Sequence, residues 1–197
     1  MWGSSFIFAP IFEQGTSERQ MYLPEGDLWY SGENLLRDKV NGWVTVVSDL
    51  DDGDQVPLFI RAGTIYPSHH SSSGNYETTT EAKKSPMDLR VTLRDDKTAS
   101  GDLYLDDGES IDAEINNYSY IQFEAVPGSL NSKPITTTYT EFEFKIEIIW
   151  VFGLSDEDVT GVMVNNAEYA DFEFFQSALH IRNLQLDPLT PFTIHWF

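Results

Sequence analysis

The sequence contains no cysteine and few basic residues. Without cysteine there is neither a disulfide framework nor a thiolate metal site. Only 12 lysine and arginine residues stand against 32 aspartate and glutamate residues, which gives a net charge of -20. A surface of this charge repels phosphate backbones and anionic lipid headgroups, so we expect neither nucleic acid nor a membrane surface as a partner. Neutral sugars, cations and basic protein surfaces are compatible with it.

Long apolar runs and helical periodicity are also lacking. No apolar run approaches the ~18 residues that a membrane-spanning helix needs. The N-terminal stretch MWGSSFIFAPIF has no basic segment and is interrupted by Pro10, which argues against a signal peptide. These features assign no compartment to the protein. No segment predicts a helix of more than about 10 residues.

Period-two alternation is the dominant pattern. In YTEFEFKIEIIWVF (139–152) the even positions are apolar: Phe142, Phe144, Ile146, Ile148, Trp150 and Phe152. Because successive strand residues point to opposite faces, this pattern predicts a half-buried strand with Trp150 in the core. Shorter alternating stretches recur at 88–94, 102–105, 118–126, 161–164, 169–175, 178–184 and 191–197, with turn residues between them. The fold class is therefore predicted to be all-β.

A polar segment divides the alternating stretches into two sets. Residues 67–86, PSHHSSSGNYETTTEAKKSP, are rich in Ser and Thr and show no apolar periodicity, so they are predicted to be a linker loop. We therefore predict two antiparallel β-sandwich modules, a smaller one at residues 1–85 and a larger one at residues 86–197.

The stretch DLYLDDGESID (102–112) contains five carboxylates. Asp106 and Asp107 are adjacent, so they cannot face each other across a sugar as the two acids of a glycosidase do. A strand that runs into a tight turn at Gly108 is the favoured interpretation. Calcium binding is the alternative, because clustered carboxylates suit a hard cation. Its candidate ligands are Asp102, Asp106, Asp107, Glu109 and Asp112.

Other chemistry-bearing residues are scattered. Trp29, Tyr30 and Trp43 are candidates for sugar stacking, although core or interface packing is the favoured interpretation for the first two. Asn117 begins a glycosylation sequon, which matters only in the secretory pathway. The adjacent His69 and His70 are predicted to lie in a solvated loop. No phosphate-binding or dinucleotide-binding glycine motif is present, so no cofactor is predicted.

Three ordered motifs carry a family resemblance: MYLPEGDLWYSG (21–32), VPLFIRAGTIYP (56–67) and DDKTASGDLYLDDGESID (95–112). Together with the leading WGSSFIFAPIFEQGTSE they resemble the C-terminal region of glycoside hydrolase family 31, the α-glucosidases of the lysosomal, maltase and sucrase type. The sequence departs from the family at Ala62, where Arg-Gly-Gly is common, at Lys97, where Gly is frequent, and at Leu105, where an aromatic residue usually precedes the acid pair.

The resemblance implies proximal and distal C-terminal β-sandwich domains without the catalytic (β/α)8 barrel. In the family, the two catalytic aspartates lie in that barrel, in motifs such as W-x-D-M-N-E, which this sequence lacks. The resemblance therefore implies that the chain is a non-catalytic accessory portion whose partner is the barrel of a parent enzyme. Members of the family are typically secretory, lysosomal or extracellular. A carbohydrate-binding module with an oligosaccharide partner and a calcium-stabilised interaction domain are the alternatives.

Overall fold

The computed structural model describes residues 1–26, 28–31, 36–47, 57–69, 76, 78–111, 115, 117–155, 157, 159–175 and 178–197. Within these ranges the regular secondary structure consists almost entirely of strands, as predicted. They are β1 (Phe6–Phe8), β2 (Glu18–Leu23), β3 (Trp29–Ser31), β4 (Leu36–Val40), β5 (Gly42–Val47), β6 (Leu58–Arg61), β7 (Thr64–His69), β8 (Met87–Thr92), β9 (Ala99–Leu105), β10 (Ser119–Val126), β11 (Ser129–Thr137), β12 (Ile146–Phe152), β13 (Val162–Val164), β14 (Ala167–Tyr169), β15 (Phe172–Phe175), β16 (Ala178–Ile181) and β17 (Thr193–Trp196).

The strands of the described residues form three sheets. A large sheet has the order β14-β13-β17-β11-β10-β9-β7-β8-β12-β16-β15, a small sheet has the order β1-β6-β3-β4, and β2 and β5 form a hairpin sheet. Pairing is antiparallel except between β7 and β9 and between β8 and β12, which run parallel. The all-β architecture predicted from the period-two pattern is thus confirmed, with a large sheet that is mixed rather than purely antiparallel.

The inward side of the large sheet carries the main core. Leu89, Ile121, Leu130, Ile149 and Val151 on four different strands are fully buried there. Each such side chain contributes about 1.5–3 kcal/mol when it leaves water. The outward side of the same strands is largely polar, which is the alternation expected when one sheet face packs on a core.

Strand β12 deviates from the predicted register. The alternation at 139–152 predicts one continuous strand with Ile148 and Trp150 facing the core, but β12 begins only at Ile146 and its pairing with β8 shifts between Ile146 and Ile148. One extra residue in the ladder turns the following side chains to the other face. As a result Ile149 and Val151 are completely buried in the main core, whereas Trp150 is half-buried on the opposite side.

The small sheet packs on the outward side of the large sheet. Tyr30, Ile60 and Ala62 from the small-sheet side form a buried cluster with Phe152 and Ala178 of the large sheet. A second cluster, which includes Leu23 and Trp29, fills the space between the hairpin sheet and the small sheet.

The predicted linker region is partly structured. Strand β7 pairs antiparallel with β8 and joins the large sheet, and α1 (Thr79–Ala82) is a single helical turn capped by the Thr78 hydroxyl, which accepts from the Glu81 N–H at 3.2 Å. Strand pairing thus makes residues 64–69 part of the large sheet. The division into domains at residue 85 stays a prediction. No helix in the described ranges is long and apolar enough to span a bilayer.

Candidate functional site

The carboxylates of Asp106 and Asp107 bind the turn in which they lie. Asp106 Oδ1 accepts from the Gly108 N–H at 2.8 Å. Asp107 Oδ1 accepts from the N–H groups of Glu109 at 3.0 Å and Ser110 at 2.9 Å, and its other carboxylate oxygen accepts from the Ser110 hydroxyl. Gly108 has a φ of 73°, a left-handed conformation that glycine adopts without steric cost. The two acids thus hold a turn together.

These bonds change the acidity of Asp107. The Ser110 hydroxyl, followed by the N–H groups of Glu109 and Ser110, lowers the pKa of Asp107 from 3.8 to about 2. Hydrogen bonds to the charged form stabilise that form, so this carboxylate stays ionised at neutral pH. A group with this pKa is a poor proton donor for bond cleavage near pH 7.

The calcium ligands predicted from the sequence are not brought together. Asp102 lies on the outward face of β9, Asp106 and Asp107 are in the turn beyond it, Glu109 is exposed, and Asp112 lies outside the described residues. Within the described ranges, no group of three or more His, Asp or Glu side chains is placed to hold a metal ion.

Two of the described histidines, His69 and His180, have local side-chain partners. His69 Nδ1 lies 2.8 Å from the Ser85 hydroxyl, and its neighbour His70 lies outside the described residues. His180 stacks on Trp150 with ring centroids 3.6 Å apart. Burial lowers the pKa of His180, an effect that the nearby Glu173 carboxylate partly offsets. His180 is therefore a packed residue of the large sheet.

The aromatic candidates separate into buried and exposed residues. Trp29 is 1% exposed and Tyr30 4% exposed, so neither ring offers a face to a sugar; the burial agrees with the favoured packing interpretation and rules out sugar stacking at these two positions. Both lie on β3, where pairing with β6 places them between packed layers. Trp43 is 73% exposed on the hairpin sheet and meets Tyr22 edge-on, with ring centroids 5.6 Å apart. Trp43 thus stays a candidate for sugar stacking.

Asn117 is exposed, as a glycosylated asparagine has to be. The third residue of its sequon, Ser119, is buried and donates a hydrogen bond to the Tyr139 carbonyl at 2.6 Å. Glycosylation at this position stays a prediction.

An apolar surface lies at the N-terminus. Four large side chains are exposed there, and we call them the N-terminal apolar surface: Met1, Trp2, Phe8 and Phe12. Trp2 packs against Phe8 with ring centroids 5.5 Å apart, beside an apolar groove of about 480 Å³ that also includes Phe6 and Leu58. The Trp2–Phe8 pair and the groove form a contiguous exposed apolar area, a feature that marks interaction surfaces.

A row of polar and aromatic side chains crosses the outward face of the large sheet. Strand pairing places Tyr66 beside Arg90, Arg90 beside Trp150, Trp150 beside His180, and His180 beside Glu173. Burial raises the pKa of Tyr66, and Arg90 partly offsets this effect. Nε of Arg90, Nε1 of Trp150 and Nε2 of His180 are buried without a hydrogen-bond partner among the protein atoms described.

On the other side of Tyr66, away from Arg90, the same row continues across β9, β10 and β11 into an open groove. The parallel pairs Thr64–Ser100 and Ile65–Gly101 put Tyr66 next to Asp102, and the antiparallel pairs that follow join Asp102 to Gln122 and Gln122 to Lys133. These residues border a space of about 760 Å³, walled on one side by Ser4, Ser5 and Phe6, which we call the polar groove.

The sequence does not predict the polar groove, because its residues are brought together only by strand pairing. The alternation at 118–126 does predict that Tyr120, Gln122 and Glu124 share the outward face of one strand. Nothing in the sequence shows which strands lie on either side of it.

The sequence matches a known family model over its first third. Residues 1–66 match the model described as the glycosyl hydrolase family 31 C-terminal domain. The chain is 28% identical to lysosomal alpha-glucosidase of Rattus norvegicus over 194 residues, which covers 88% of this chain and 19% of that protein. It is 29% identical to intestinal sucrase-isomaltase of Homo sapiens, covering 100% of this chain and 11% of that protein.

Solved structures share the fold. The glucosidase II alpha subunit in its Tris-bound form matches with a TM-score of 0.79 and 19% identity, covering 98% of this chain and 22% of that chain. The Flavobacterium johnsoniae GH31 dextranase complexed with isomaltotriose matches with a TM-score of 0.74 and 20% identity, covering 98% and 26%. The chain thus spans less than a third of each protein named here. The family match and the whole-chain similarities identify it as a C-terminal region of glycoside hydrolase family 31.

Proposed function

We propose that this chain is a non-catalytic accessory portion of a family 31 α-glucosidase. In a full-length enzyme it would pack against the catalytic domain, which would hydrolyse terminal α-glucosidic bonds. The observation that carries the proposal is the N-terminal apolar surface, because it lies within the residues that match the family model.

The exposure of the N-terminal apolar surface favours a protein partner. Trp2 is 72% exposed and Phe12 is 81% exposed. Covering one such ring contributes about 1.5–3 kcal/mol, so a few of them provide a substantial share of a stable contact. The partner that fits is the catalytic domain of the parent enzyme, since the relatives extend far beyond the portion matched by this chain.

The chemistry of the acids supports a non-catalytic role. Glycosidic hydrolysis uses two carboxyl groups on opposite sides of the sugar, about 5–5.5 Å apart for retention and about 6.5–9.5 Å apart for inversion. Asp106 and Asp107 are neighbours in one turn, and each is bound to backbone N–H groups of that turn. They stabilise the chain in which they lie and do not form a pair across a cleft.

An activity assay tests this proposal. The purified chain is incubated with maltose and with a chromogenic α-glucoside, and human intestinal sucrase-isomaltase is the positive control. We expect glucose release equal to that of the buffer blank. Steady turnover that follows the protein through a sizing column, and that resists removal of trace contaminants, would refute the non-catalytic role.

Carbohydrate binding is a second candidate function, favoured by the exposed Trp43–Tyr22 pair. Trp43 and Tyr22 are register partners on the hairpin sheet, and the next pair on the same face is Gln20 with Thr45. An exposed indole stacks on the C–H face of a sugar ring, and the neighbouring amide and hydroxyl groups can bind its hydroxyls. This function does not require catalysis.

A further inference from the structure

The polar groove is bordered by two different layers of the protein. Its floor is the outward face of β7, β9, β10 and β11, and its wall is the turn before β1 together with Phe6. Phe6 meets Tyr66 edge-on, with ring centroids 5.1 Å apart and an interplanar angle of 81°. The groove thus joins an apolar aromatic corner to a polar floor, which is the usual composition of a small-molecule site at a contact between modules.

The floor offers three different hydrogen-bonding groups in one row. Asp102, Gln122 and Lys133 are exposed register partners on three successive strands. Strands lie about 4.8 Å apart, so the three side chains span about 10 Å. Within the part of the chain that the structure describes, none of the three makes a side-chain hydrogen bond or ion pair. Their donors and acceptors are therefore available to a ligand.

A glycine fixes the position of this row. At Gly101 a Cβ atom would lie 1.8 Å from the carbonyl oxygen of Ile65, so only glycine lets β9 run this close to β7. The close approach brings Asp102 next to Tyr66 and thereby connects the polar floor to the aromatic corner.

The charges of the groove select the ligand. Asp102 and Glu124 repel an anion, as does the net charge of -20, whereas Lys133 repels a cation. A hydroxyl group both donates and accepts, so it can bind a carboxylate, an amide and an ammonium group in turn. A chain of two or three neutral sugar rings presents hydroxyls along its edge and C–H groups on its faces, which matches the polar row and the Phe6–Tyr66 corner.

We propose that the polar groove binds a neutral oligosaccharide, with Asp102, Gln122 and Lys133 on its hydroxyls and Phe6 against a ring face. The site goes beyond the accessory role and is independent of hydrolysis. Only the choice of an α-linked glucose trisaccharide as the probe rests on the family assignment.

Titration of the whole chain with maltotriose and isomaltotriose tests the site, by calorimetry and by two-dimensional NMR. The groove variants are Asp102→Asn and Gln122→Ala. Glu168→Gln, an exposed acid on β14, is the matched control, and Trp43→Ala removes the alternative platform on the hairpin sheet. All four positions are exposed, so the variants are expected to melt with the wild-type protein.

The expected result is saturable binding that weakens about tenfold or more in each groove variant, is unchanged in Glu168→Gln and persists in Trp43→Ala. Shifted resonances are expected at the Gly101 amide and the Gln122 side chain. The proposal is overturned if no trisaccharide binds at about 10 mM, if Trp43→Ala abolishes binding while the groove variants keep it, or if all variants bind alike. None of these binding results would alter the outcome of the hydrolysis assay. The binding proposal and the non-catalytic proposal can therefore be refuted independently.

Discussion

The turn at Asp107 makes a prediction about a single residue. The Ser110 hydroxyl is the largest cause of the low pKa of Asp107, which is about 2. Replacing Ser110 with Ala removes that bond and leaves the two backbone N–H donors, so we expect the pKa of Asp107 to rise toward 3.8 without reaching it. NMR titration of the carboxyl carbon measures this change.

The direction of the pH effect follows from the same shift. A carboxyl whose pKa is lower in the folded than in the unfolded chain stabilises the fold fully above the unfolded value near 3.8. In the wild-type chain, that contribution to stability is lost as the pH falls from about 4 through about 2. In Ser110→Ala the pKa of Asp107 is expected to be higher, so the contribution should be smaller and its loss should be complete at a higher pH. Ser100→Ala, an exposed serine on β9, is the control. An unchanged Asp107 titration in Ser110→Ala would contradict the assignment.

Single residues also show where sequence reasoning succeeds. The turn at Gly108 was predictable because Asp-Asp-Gly after an alternating stretch is a local signal. For Trp29 and Tyr30 the sequence favoured packing but did not show what covers them, because the hairpin sheet buries Trp29 and the large sheet buries Tyr30 only in the folded chain. Trp43 lies on β5 opposite Tyr22 of β2, on the face of the hairpin sheet that leaves the ring 73% exposed.

At the scale of elements, Tyr30 fastens β3 to the large sheet. Its hydroxyl donates to the Leu93 carbonyl at 2.6 Å in a buried environment, and Leu93 follows directly after β8. Tyr30→Phe removes the donor and leaves that carbonyl without it, so we expect a loss of about 1–2 kcal/mol in the free energy of unfolding. This corresponds to a fall of about 2–8 °C in the melting temperature for a chain of this size.

Calorimetry of Tyr30→Phe beside Tyr22→Phe measures this effect. Tyr22 is 46% exposed, so loss of its hydroxyl should leave the melting temperature nearly unchanged. Equal melting temperatures for Tyr30→Phe and the wild-type protein would show that the hydrogen bond adds nothing to the contact between the sheets.

The elements themselves were largely predictable, but their partners were not. The alternation at 142–152 identified β12 because its apolar period is two. The register shift near Ile148 leaves no trace in that period, since both Ile148 and Ile149 are apolar and either could face the core. Parallel pairing likewise joins β8 (Met87–Thr92) to β12 (Ile146–Phe152), which are far apart in the sequence, and no local pattern specifies such a partner.

For the whole molecule, the period-two pattern predicted the fold class. Period-two segments with turns between them allow little other than stacked sheets, which is why the all-β class followed from the sequence. The polar groove could not be predicted in the same way. It exists only where the N-terminal turn meets the floor of four strands from a later part of the chain.

The N-terminal apolar surface leads to a prediction about association of the whole molecule. Two effects oppose each other: exposed aromatic rings favour contact, while the net charge of -20 keeps copies apart. At about 0.15 M salt the Debye length is only about 8 Å, so repulsion between copies is screened while apolar attraction is not. We therefore expect the wild-type chain to self-associate increasingly as salt is added, measured by analytical ultracentrifugation.

Two double variants distinguish association through the N-terminal apolar surface from non-specific association through other exposed apolar side chains. Trp2→Ser with Phe12→Ser removes two of its most exposed rings, whereas Ile111→Ser with Phe175→Ser removes exposed apolar side chains elsewhere, at 95% and 51% exposure. We expect the first pair to abolish salt-induced association and the second to leave it unchanged, with similar melting temperatures because none of the four side chains is buried. Association that persists in the first pair, or a wild-type chain that stays monomeric in high salt, would mean that this surface does not drive contact. The accessory proposal would then lose the observation that carries it, even if the chain proved inactive on maltose.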